Sequence, residues 1–398
     1  MNRRVAISSL FVFLSIIGRA EVLSDIADGT IATIDTITPG DTIAAIDTIA
    51  AIDTLQGTTE VPKKKKNFIL RVIDSFSDFD ERYIEPQHYL FTAMLQATYA
   101  YDSYTLTCKD NNVTQSVSFA PDGSIKLGPY FGWKWLFAGY TFTIGASSIS
   151  KTKTEWDLSF YTSRFGIDLF YRHMGSDYKI RNVHLGNNID TSPLRKAPFD
   201  GVSAGITGLN LYYIFNHRHF SYPAAFSQST CQKISCGSWM AGVGYTKNSL
   251  SFDYDKLQAL LDERLGPQAV PLDSGLKFKQ ASYFDISLSG GYAYNMVFAK
   301  HFLICISGQL ALSYKESYGS TEGLFNEQRF AIRKFAPNLI GRFGIVYNNT
   351  RWYAGFSAIV RSNNYRDERY VTNNTFGSMN LYAGYNFVLR KEYRNKKK

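Results

Sequence analysis

The stretch YFDISLSGGYAYNMVF at residues 283–298 alternates apolar and polar side chains along most of its length. Successive side chains of a β-strand point to opposite faces, so this alternation predicts a strand with one apolar face and one polar face. A second stretch, FLICISGQLALSY at 302–314, follows a short turn around Ala299–Lys300 and repeats the pattern. The two stretches together predict an antiparallel hairpin.

Similar Tyr-, Phe- and Gly-rich segments continue from about Tyr89 to Phe387, and none is long and apolar enough for a membrane helix. The chain is 45% hydrophobic, yet its mean hydropathy is only −0.19, because each strand carries as many polar as apolar positions. In lipid every backbone N–H and C=O must be paired, and a closed sheet achieves this without helices. The pattern therefore predicts an all-β, antiparallel transmembrane β-barrel of about twelve strands, within a range of about ten to fourteen.

The first 20 residues have the features of a secretory signal peptide. Arg3 and Arg4 precede an apolar stretch from Val5 to Ile17, which is too short to span a bilayer comfortably. Small residues at positions 18 and 20, in Gly18-Arg19-Ala20, predict cleavage after Ala20. We therefore expect residues 1–20 to direct export and to be removed.

Three segments flank the predicted barrel, which is assigned to 88–389. Residues 21–66 form a low-complexity arm with the repeats AAIDTI at 44–49 and AAIDTL at 50–55. We expect this arm to be extended or disordered in the periplasm, although its Ile and Thr content also suits strand addition to a periplasmic protein partner. Residues 67–87 lead into the barrel through a short amphipathic periplasmic helix at 68–83, ended by Pro86, and 390–398 form a basic tail.

Charge and cysteine content narrow the range of partners. The net charge is +9, but much of the excess lies in Lys63–Lys66 and in the tail, so it gives no reason to expect nucleic acid binding. Cys231 and Cys236 are candidates for a disulfide in an oxidising compartment. A zinc site that joins them to His217 and His219 is less favoured because the ligand spacing is wrong, so no metal and no cofactor are expected.

Connection lengths indicate which end of the barrel each link occupies. The turns around Thr246–Ser249, Ala299–Lys300 and Asn348–Thr350 are short, and the links at 255–280, 315–335 and 362–375 are long. Short turns usually face the periplasm and long loops the exterior. Within 255–280, Leu residues at helical spacing predict a short helix that stops at Gly266-Pro267.

Residues 217–232 are difficult to place by counting strands. Counting back from the C-terminus puts them outside, and counting forward puts them on the periplasmic side. Either a strand lies hidden in 174–200, or 217–232 fold into the lumen, which we favour. Asn216, Arg218, Tyr222 and Gln228 are then candidates to line or plug the lumen.

The last predicted strand carries Tyr382-x-Gly384-x-x-Phe387-x-Leu389. This pattern resembles the terminal β-signal read by the outer-membrane barrel insertion machinery. It departs from the usual form because Tyr382 is only semi-polar and nine residues follow the pattern. The resemblance implies that machinery as a partner during assembly.

A polar and aromatic run, NHRHFSYPAAFSQST, occupies residues 216–230. Taken with Phe79-Asp80-x-x-Tyr83-Ile84-x-Pro86 and LGPYFGW at 127–133, it resembles a family of uncharacterised outer-membrane proteins of Gram-negative anaerobes, described as a domain of unknown function. The resemblance covers about 68–389. It implies a barrel and no assigned activity, so it assigns no catalytic residues here.

The same run contains the residue types of a lipid hydrolase. Ser221, Ser227 and Ser229 are candidate nucleophiles, and His217 and His219 are candidate bases. The serines are not in a Gly-x-Ser-x-Gly elbow, and neighbours in sequence need not face each other. An inturned loop held by hydrogen bonds is the preferred interpretation.

Two charged groups are candidate surface binding sites. The acidic group could bind a cation and the basic group could bind lipopolysaccharide phosphates, but ordinary solvated surface charge is preferred for both. The acidic group is Asp253, Asp255, Asp262 and Glu263, and the basic group is Lys179, Arg181, Arg195 and Lys196.

These patterns favour a non-enzymatic outer-membrane barrel in contact with lipids and lipopolysaccharide. It would act as a narrow pore or as a structural or assembly component of the envelope, with its lumen partly filled by 217–232. The alternatives are a barrel-embedded lipid hydrolase and a protein that recruits a periplasmic partner through residues 21–62.

Overall fold

A computed structural model describes residues 79–110, 113–133, 136–144, 154–175, 177–186, 189–277, 280–317, 335–366 and 370–394. The predicted signal peptide, the arm, most of the helix at 68–83 and the last four residues of the tail lie outside this range. From Phe79 onward the expected helix is instead a turn followed by a strand. The backbone is diverted there because Asp80 N–H donates to the Arg218 carbonyl and residues 84–86 pair with another strand.

The described chain forms mostly strands. The strands are β1 (Ile84–Pro86), β2 (Tyr89–Asp110), β3 (Val113–Pro121), β4 (Ser124–Trp133), β5 (Leu136–Gly139), β6 (Phe142–Ile144), β7 (Thr154–Tyr161), β8 (Phe165–Met174), β9 (Tyr178–His184), β10 (Pro198–Phe199), β11 (Val202–Ile214), β12 (Thr230–Gln232), β13 (Cys236–Phe252), β14 (Gln280–Phe298), β15 (Phe302–Ser317), β16 (Phe335–Asn348), β17 (Trp352–Arg366) and β18 (Tyr370–Leu389). The helices are α1 (Tyr222–Phe226), α2 (Tyr254–Leu265) and α3 (Lys391–Arg394). None of the described helices is long and apolar enough to cross a membrane.

The large sheet is antiparallel throughout and curls on itself. The strands that form the barrel wall, here called staves, follow the order β7, β8, β11, β13, β14, β15, β16, β17, β18, β2 and β4. Strands β5 and β6 pair with the two ends of β4 and together form one interrupted stave beside it. With this stave, the described residues form twelve staves. No ladder joins β6 to β7 within the described residues, but the edges approach where Lys126 of β4 contacts Glu155 of β7 at 2.5 Å.

The two faces of the sheet are inverted relative to a water-soluble protein. On β14, Ile286 and Leu288 are 54% and 69% exposed, whereas Asp285 and Ser287 are 1% and 9% exposed. Apolar side chains therefore point outward and polar ones point into the lumen, as in a barrel surrounded by lipid. The predicted fold class, an antiparallel transmembrane β-barrel, is confirmed.

The connections differ in length between the two ends. The turns at 162–164, 299–301 and 349–351 lie at one end, here called the short-turn end, where Leu389 also pairs with Tyr89. The link between β13 and β14, which contains α2, lies at the opposite, long-loop end. The predicted long link at 255–280 is confirmed, but the one predicted at 362–375 is wrong, because β17 extends to Arg366 and β18 begins at Tyr370.

One predicted turn is wrong, and its error explains the conflicting strand counts. Residues 246–249 lie inside β13 and pair with β11 on one side and β14 on the other. Splitting β13 into two strands added one crossing and moved 217–232 to the wrong side. These residues join β11 to β13 at the short-turn end. The link at 174–200 does contain strands, β9 and β10, but they branch away from the staves: β9 pairs with β3, and β10 pairs with β9.

An apolar cluster lies at the long-loop end. The branch formed by β3, β9 and β10 contributes Phe119, Ile180 and Phe199, and α2 contributes Leu257 and Leu261. All five side chains are at most 4% exposed. Helix α2 confirms the predicted helix: its buried leucines repeat at helical spacing, and it ends at Gly266, whose φ is 54°.

Candidate functional site

Residues 217–232, here called the plug segment, turn inward from the short-turn end. Ser221 begins α1: its side chain accepts the Ala224 N–H at 3.2 Å, and Pro223 stands in the first turn, where its missing N–H leaves no gap in the helix. Helix α1 is only five residues long, but Tyr222, Pro223, Ala224 and Ala225 are all buried. Its stability therefore depends on packing against the barrel wall.

Tyr222 anchors the plug segment in the lumen. Its side chain is fully buried, and its hydroxyl donates to Ser307 Oγ of β15 at 2.6 Å. Its ring lies 5.7 Å from the rings of Tyr161 on β7 and Tyr212 on β11. One side chain thus reaches three staves.

Gln228 fixes the other end of α1 to further staves. Its Nε2 donates to Tyr382 Oη of β18 at 2.9 Å, and its Oε1 accepts from Asn348 Nδ2 of β16 at 3.3 Å. Asn295 of β14 donates to the Ser221 carbonyl at 2.8 Å. Because these staves and those of Tyr222 are distributed around the barrel, the plug segment crosses the lumen.

Residues 80–86 pack on the outer side of the plug segment and hold it in place. Strand β1 pairs with β12, and Lys233 N–H donates to the Tyr83 carbonyl at 2.7 Å. Asp80 binds both Arg82 and, at 3.7 Å, His219. Its hydrogen bonds with Arg82 lower the pKa of Asp80 to about 2, so it remains charged at neutral pH.

Not all predicted lumen residues face the lumen. Tyr222 and Gln228 are buried there, whereas Arg218 is exposed at the rim. Asn216 is half-buried where β11 and β13 meet, and its Nδ2 donates to the Gly237 carbonyl at 2.8 Å. The prediction that Arg218 lines the lumen is therefore wrong, because the chain turns inward only after this residue.

The structure does not assemble the proposed hydrolase. Ser221 Oγ lies 2.7 Å from Thr230 Oγ1 and caps α1, while Ser227 and Ser229 bond each other at 3.2 Å. His219 Nδ1 instead faces Asn216 Oδ1 at 3.0 Å. His217 packs edge-on to Tyr213, with ring centroids 6.2 Å apart. The three serine hydroxyls form hydrogen bonds within the plug segment itself, so they stabilise its conformation.

Replacing Ser221 with alanine should lower the free energy of unfolding by about 1–2 kcal/mol, because the α1 cap and the partner of buried Thr230 are both lost. Urea unfolding in detergent micelles measures this. Ser229→Ala is the control and should cost less than about 0.5 kcal/mol. Loss of a lipid hydrolase activity in Ser221→Ala, with stability unchanged, would restore the enzyme interpretation.

The predicted disulfide is not formed, since Cys231 and Cys236 are both free thiols. Cys231 Sγ lies 3.9 Å from the Asn348 carbonyl, whereas Cys236 Sγ accepts from Asn216 Nδ2 at 3.1 Å. Burial raises the pKa of Cys231 to about 12, which disfavours the thiolate needed for exchange. Among the described residues, no group of three or more His, Cys, Asp or Glu is placed to hold a metal ion.

The predicted surface groups have structural partners. Asp253 caps α2 by accepting the Lys256 N–H at 3.0 Å. Lys179 and Arg181 both bind Asp122, so part of the basic group is neutralised within the protein. Tyr382 and Gly384 of the terminal pattern lie on β18, paired with β2.

Sequence reasoning missed a group of charges inside the lumen, here called the charge belt: Asp157, Asp168, Arg172, Arg342 and Arg361. Asp168 is 1% exposed and binds both Arg342 and Arg361. Arg172 binds Asp157 at 2.7 Å. The available signal was a lone charge at an inward position of an alternating strand, such as Asp168 between Ile167 and Leu169.

Aromatic rings support the arginines of the belt. The Arg342 guanidinium lies 5.0 Å from the Tyr212 ring centre and 5.9 Å from that of Tyr222. Arg361 lies 4.8 Å from the ring centre of Phe170. These stacked cations connect the belt to the plug segment. A cavity of about 450 Å³ lies between the two and is lined by Phe226, Gln228, Arg342 and Arg361, among others.

Comparison with known protein families identifies the family of this chain. The model of a domain of unknown function, DUF4421, matches residues 74–387. The chain belongs to this family. The match covers the plug segment and all twelve staves except the last two residues of β18, close to the expected range of 68–389.

Among solved structures, the DUF4421 chain is similar to the outer membrane protease OmpT from Escherichia coli, with 8% identity, a TM-score of 0.33 and coverage of 75% of this chain and 97% of that one. It is also similar to the translocator domain of the autotransporter NalP from Neisseria meningitidis, with 9% identity, a TM-score of 0.28 and coverage of 80% and 95%. No curated protein matches it.

Proposed function

We propose that this protein is a non-enzymatic barrel of the bacterial outer membrane that serves as a structural or assembly component of the envelope, with a lumen closed to ions. The plug segment is the observation that carries this proposal. It bonds to β14, β15, β16 and β18 and packs on β7 and β11. A segment held on so many sides obstructs the lumen at the short-turn end.

The opposite end supports the same conclusion. The apolar cluster of β3, β9, β10 and α2 packs across the long-loop end. Between these two ends lies the charge belt, in which Asp168 of β8 pairs across the lumen with Arg342 of β16, and Arg172 pairs with Asp157 of the neighbouring strand. A wide aqueous pore would instead keep such charges in water.

The outer membrane is the location that suits the exterior. Leu288, Leu310 and Leu381 are each more than 60% exposed on the outer face, an arrangement that only lipid makes favourable. The secretory signal predicted at 1–20 and the terminal pattern from Tyr382 to Leu389 fit export and assembly by the barrel insertion machinery. The arm at 21–62 remains a candidate to recruit a periplasmic partner.

Conductance in planar bilayers tests the proposal. Purified protein, shown to be folded by a gel mobility that changes on heating, should produce no stepwise ion currents. A similarly purified open porin provides the positive control. Regular stepwise currents from the folded protein would contradict the closed lumen and favour the narrow pore.

A further inference from the structure

An aromatic band lies on the outer face of the barrel at the short-turn end. Trp352 of β17 packs on Tyr385 of β18 with ring centres 4.4 Å apart, and Phe387 stacks on Tyr385 at 6.5 Å. Phe91 of β2 stacks on Phe387 at 5.8 Å and pairs in register with Trp133 of β4. The band therefore crosses four neighbouring staves. Aromatic side chains gather where a bilayer meets water, so these rings lie at the level of the lipid headgroups.

Arg351, in the turn between β16 and β17, lies at the edge of this aromatic band. Its Nη2 and Nε donate to the Tyr385 hydroxyl at 2.6 and 3.0 Å, and its guanidinium lies 5.3 Å from the centre of the Tyr385 ring. The side chain is exposed, and among the described residues no carboxylate pairs with it. A permanent positive charge is thus held at the surface, next to apolar rings.

The turn that carries Arg351 is fixed by hydrogen bonds. Asn349 Oδ1 accepts the N–H of Arg351 at 3.1 Å and that of Trp352 at 2.7 Å. Asn386 of β18 donates its backbone N–H to the Arg351 carbonyl at 2.7 Å and its Nδ2 to the Thr350 carbonyl at 2.7 Å. Because the backbone is already ordered, a ligand of Arg351 would not have to order it on binding.

The chain that follows β18 adds positive charge to the same rim of the barrel. Its three cations are Arg390, Lys391 and Arg394. The Arg390 N–H donates to the His88 carbonyl at 2.9 Å, which holds this stretch beside the start of β2. Two acidic residues are near: Glu392 in the same stretch, and Glu85, which binds His88 at 3.2 Å. With Arg351, the rim carries an excess of positive charge.

We propose that this rim binds an anionic phospholipid, with the lipid phosphate on Arg351 and an acyl chain on the aromatic band. Guanidinium donors match phosphate oxygens, and the cations after β18 favour a headgroup with a net negative charge. The proposal rests on the outer-membrane location, and short turns usually face the periplasm, so the lipid comes from the periplasmic leaflet. It does not depend on ion conduction, so it and the closed lumen fail by different measurements.

Native mass spectrometry of the full-length protein, released from detergent micelles, tests the proposal. Dioleoylphosphatidylglycerol is the probe, and dioleoylphosphatidylcholine, which has the same chains and a zwitterionic headgroup, is its match. The anionic lipid should bind at least about tenfold more tightly. Equal binding of the two lipids would overturn the proposal. Tighter binding of lipid A than of phosphatidylglycerol would contradict it as well, because the rim would then suit lipopolysaccharide.

Arg351→Gln assigns the binding to the rim. It should weaken phosphatidylglycerol binding at least about fivefold, whereas Arg351→Lys, which keeps the charge but loses the planar fork, should give an intermediate affinity. Arg366→Gln is the matched control, because it removes the same charge from the opposite end of β17 and should leave binding unchanged. Gel mobility that changes on heating verifies that each variant is folded. Unchanged affinity in Arg351→Gln, or an equal loss in Arg366→Gln, would refute the assignment.

Discussion

Replacing Asp168 with alanine should lower the free energy of unfolding of the barrel by about 3–5 kcal/mol, because Arg342 and Arg361 would both lose their shared buried carboxylate. Asp168 is 1% exposed, and Ser159 Oγ also donates to it at 2.8 Å. Its removal leaves two desolvated cations without an opposite charge. Urea unfolding in micelles, followed by tryptophan fluorescence, measures the loss.

Asp122→Ala is the matched control for this prediction. Asp122 also binds two cations, Lys179 and Arg181, but its side chain is 61% exposed. Water screens such a surface pair, so the expected cost is below about 1 kcal/mol. Equal losses for Asp168→Ala and Asp122→Ala would show that the charge belt is hydrated, in conflict with the buried network.

Tyr222→Ala should destabilise the protein by about 3–5 kcal/mol, because it removes a fully buried aromatic ring from the centre of the plug segment. The ring contacts Tyr161, Tyr212, Phe220 and Phe226, so its removal leaves a cavity among them. Thermal and urea unfolding should both report the change.

Tyr222→Phe separates the contribution of the ring to stability from that of its hydroxyl. It keeps the aromatic contacts but removes the hydrogen bond to Ser307, so the expected cost is about 1–2 kcal/mol. A Tyr222→Ala variant as stable as Tyr222→Phe would mean that the ring does not pack in the lumen.

The sequence was sufficient to predict most of the staves, because lipid outside the barrel and a polar lumen inside it make apolar and polar side chains alternate with a period of two residues. Near the long-loop end this constraint ends, and there the prediction failed. Thr246, Lys247, Asn248 and Ser249 resemble a turn in composition, yet they continue β13. A strand that extends beyond the apolar band needs no apolar residues, so composition alone cannot distinguish it from a turn.

The charge belt lay beyond sequence reasoning for a different reason. Asp168 and Arg342 are 174 residues apart in the chain, and their contact depends on the curling of the whole sheet. The plug segment was partly accessible: Pro223 and the neighbouring hydroxyls predicted an inturned loop. Its anchors, Ser307 and Tyr382, could be found only once the staves were arranged around it.

Photo-cross-linking from within the plug segment tests the central claim, that residues 217–232 fill the lumen of their own barrel. A photoreactive phenylalanine analogue at position 226 lies beside Tyr161 of β7, 5.9 Å between ring centres, and beside Gly344 of β16. Irradiation of the folded protein should join position 226 to peptides that contain residues 154–161 or 335–348, as read by mass spectrometry. Cross-links only to detergent, lipid or another protein would place the segment outside the lumen and contradict the account.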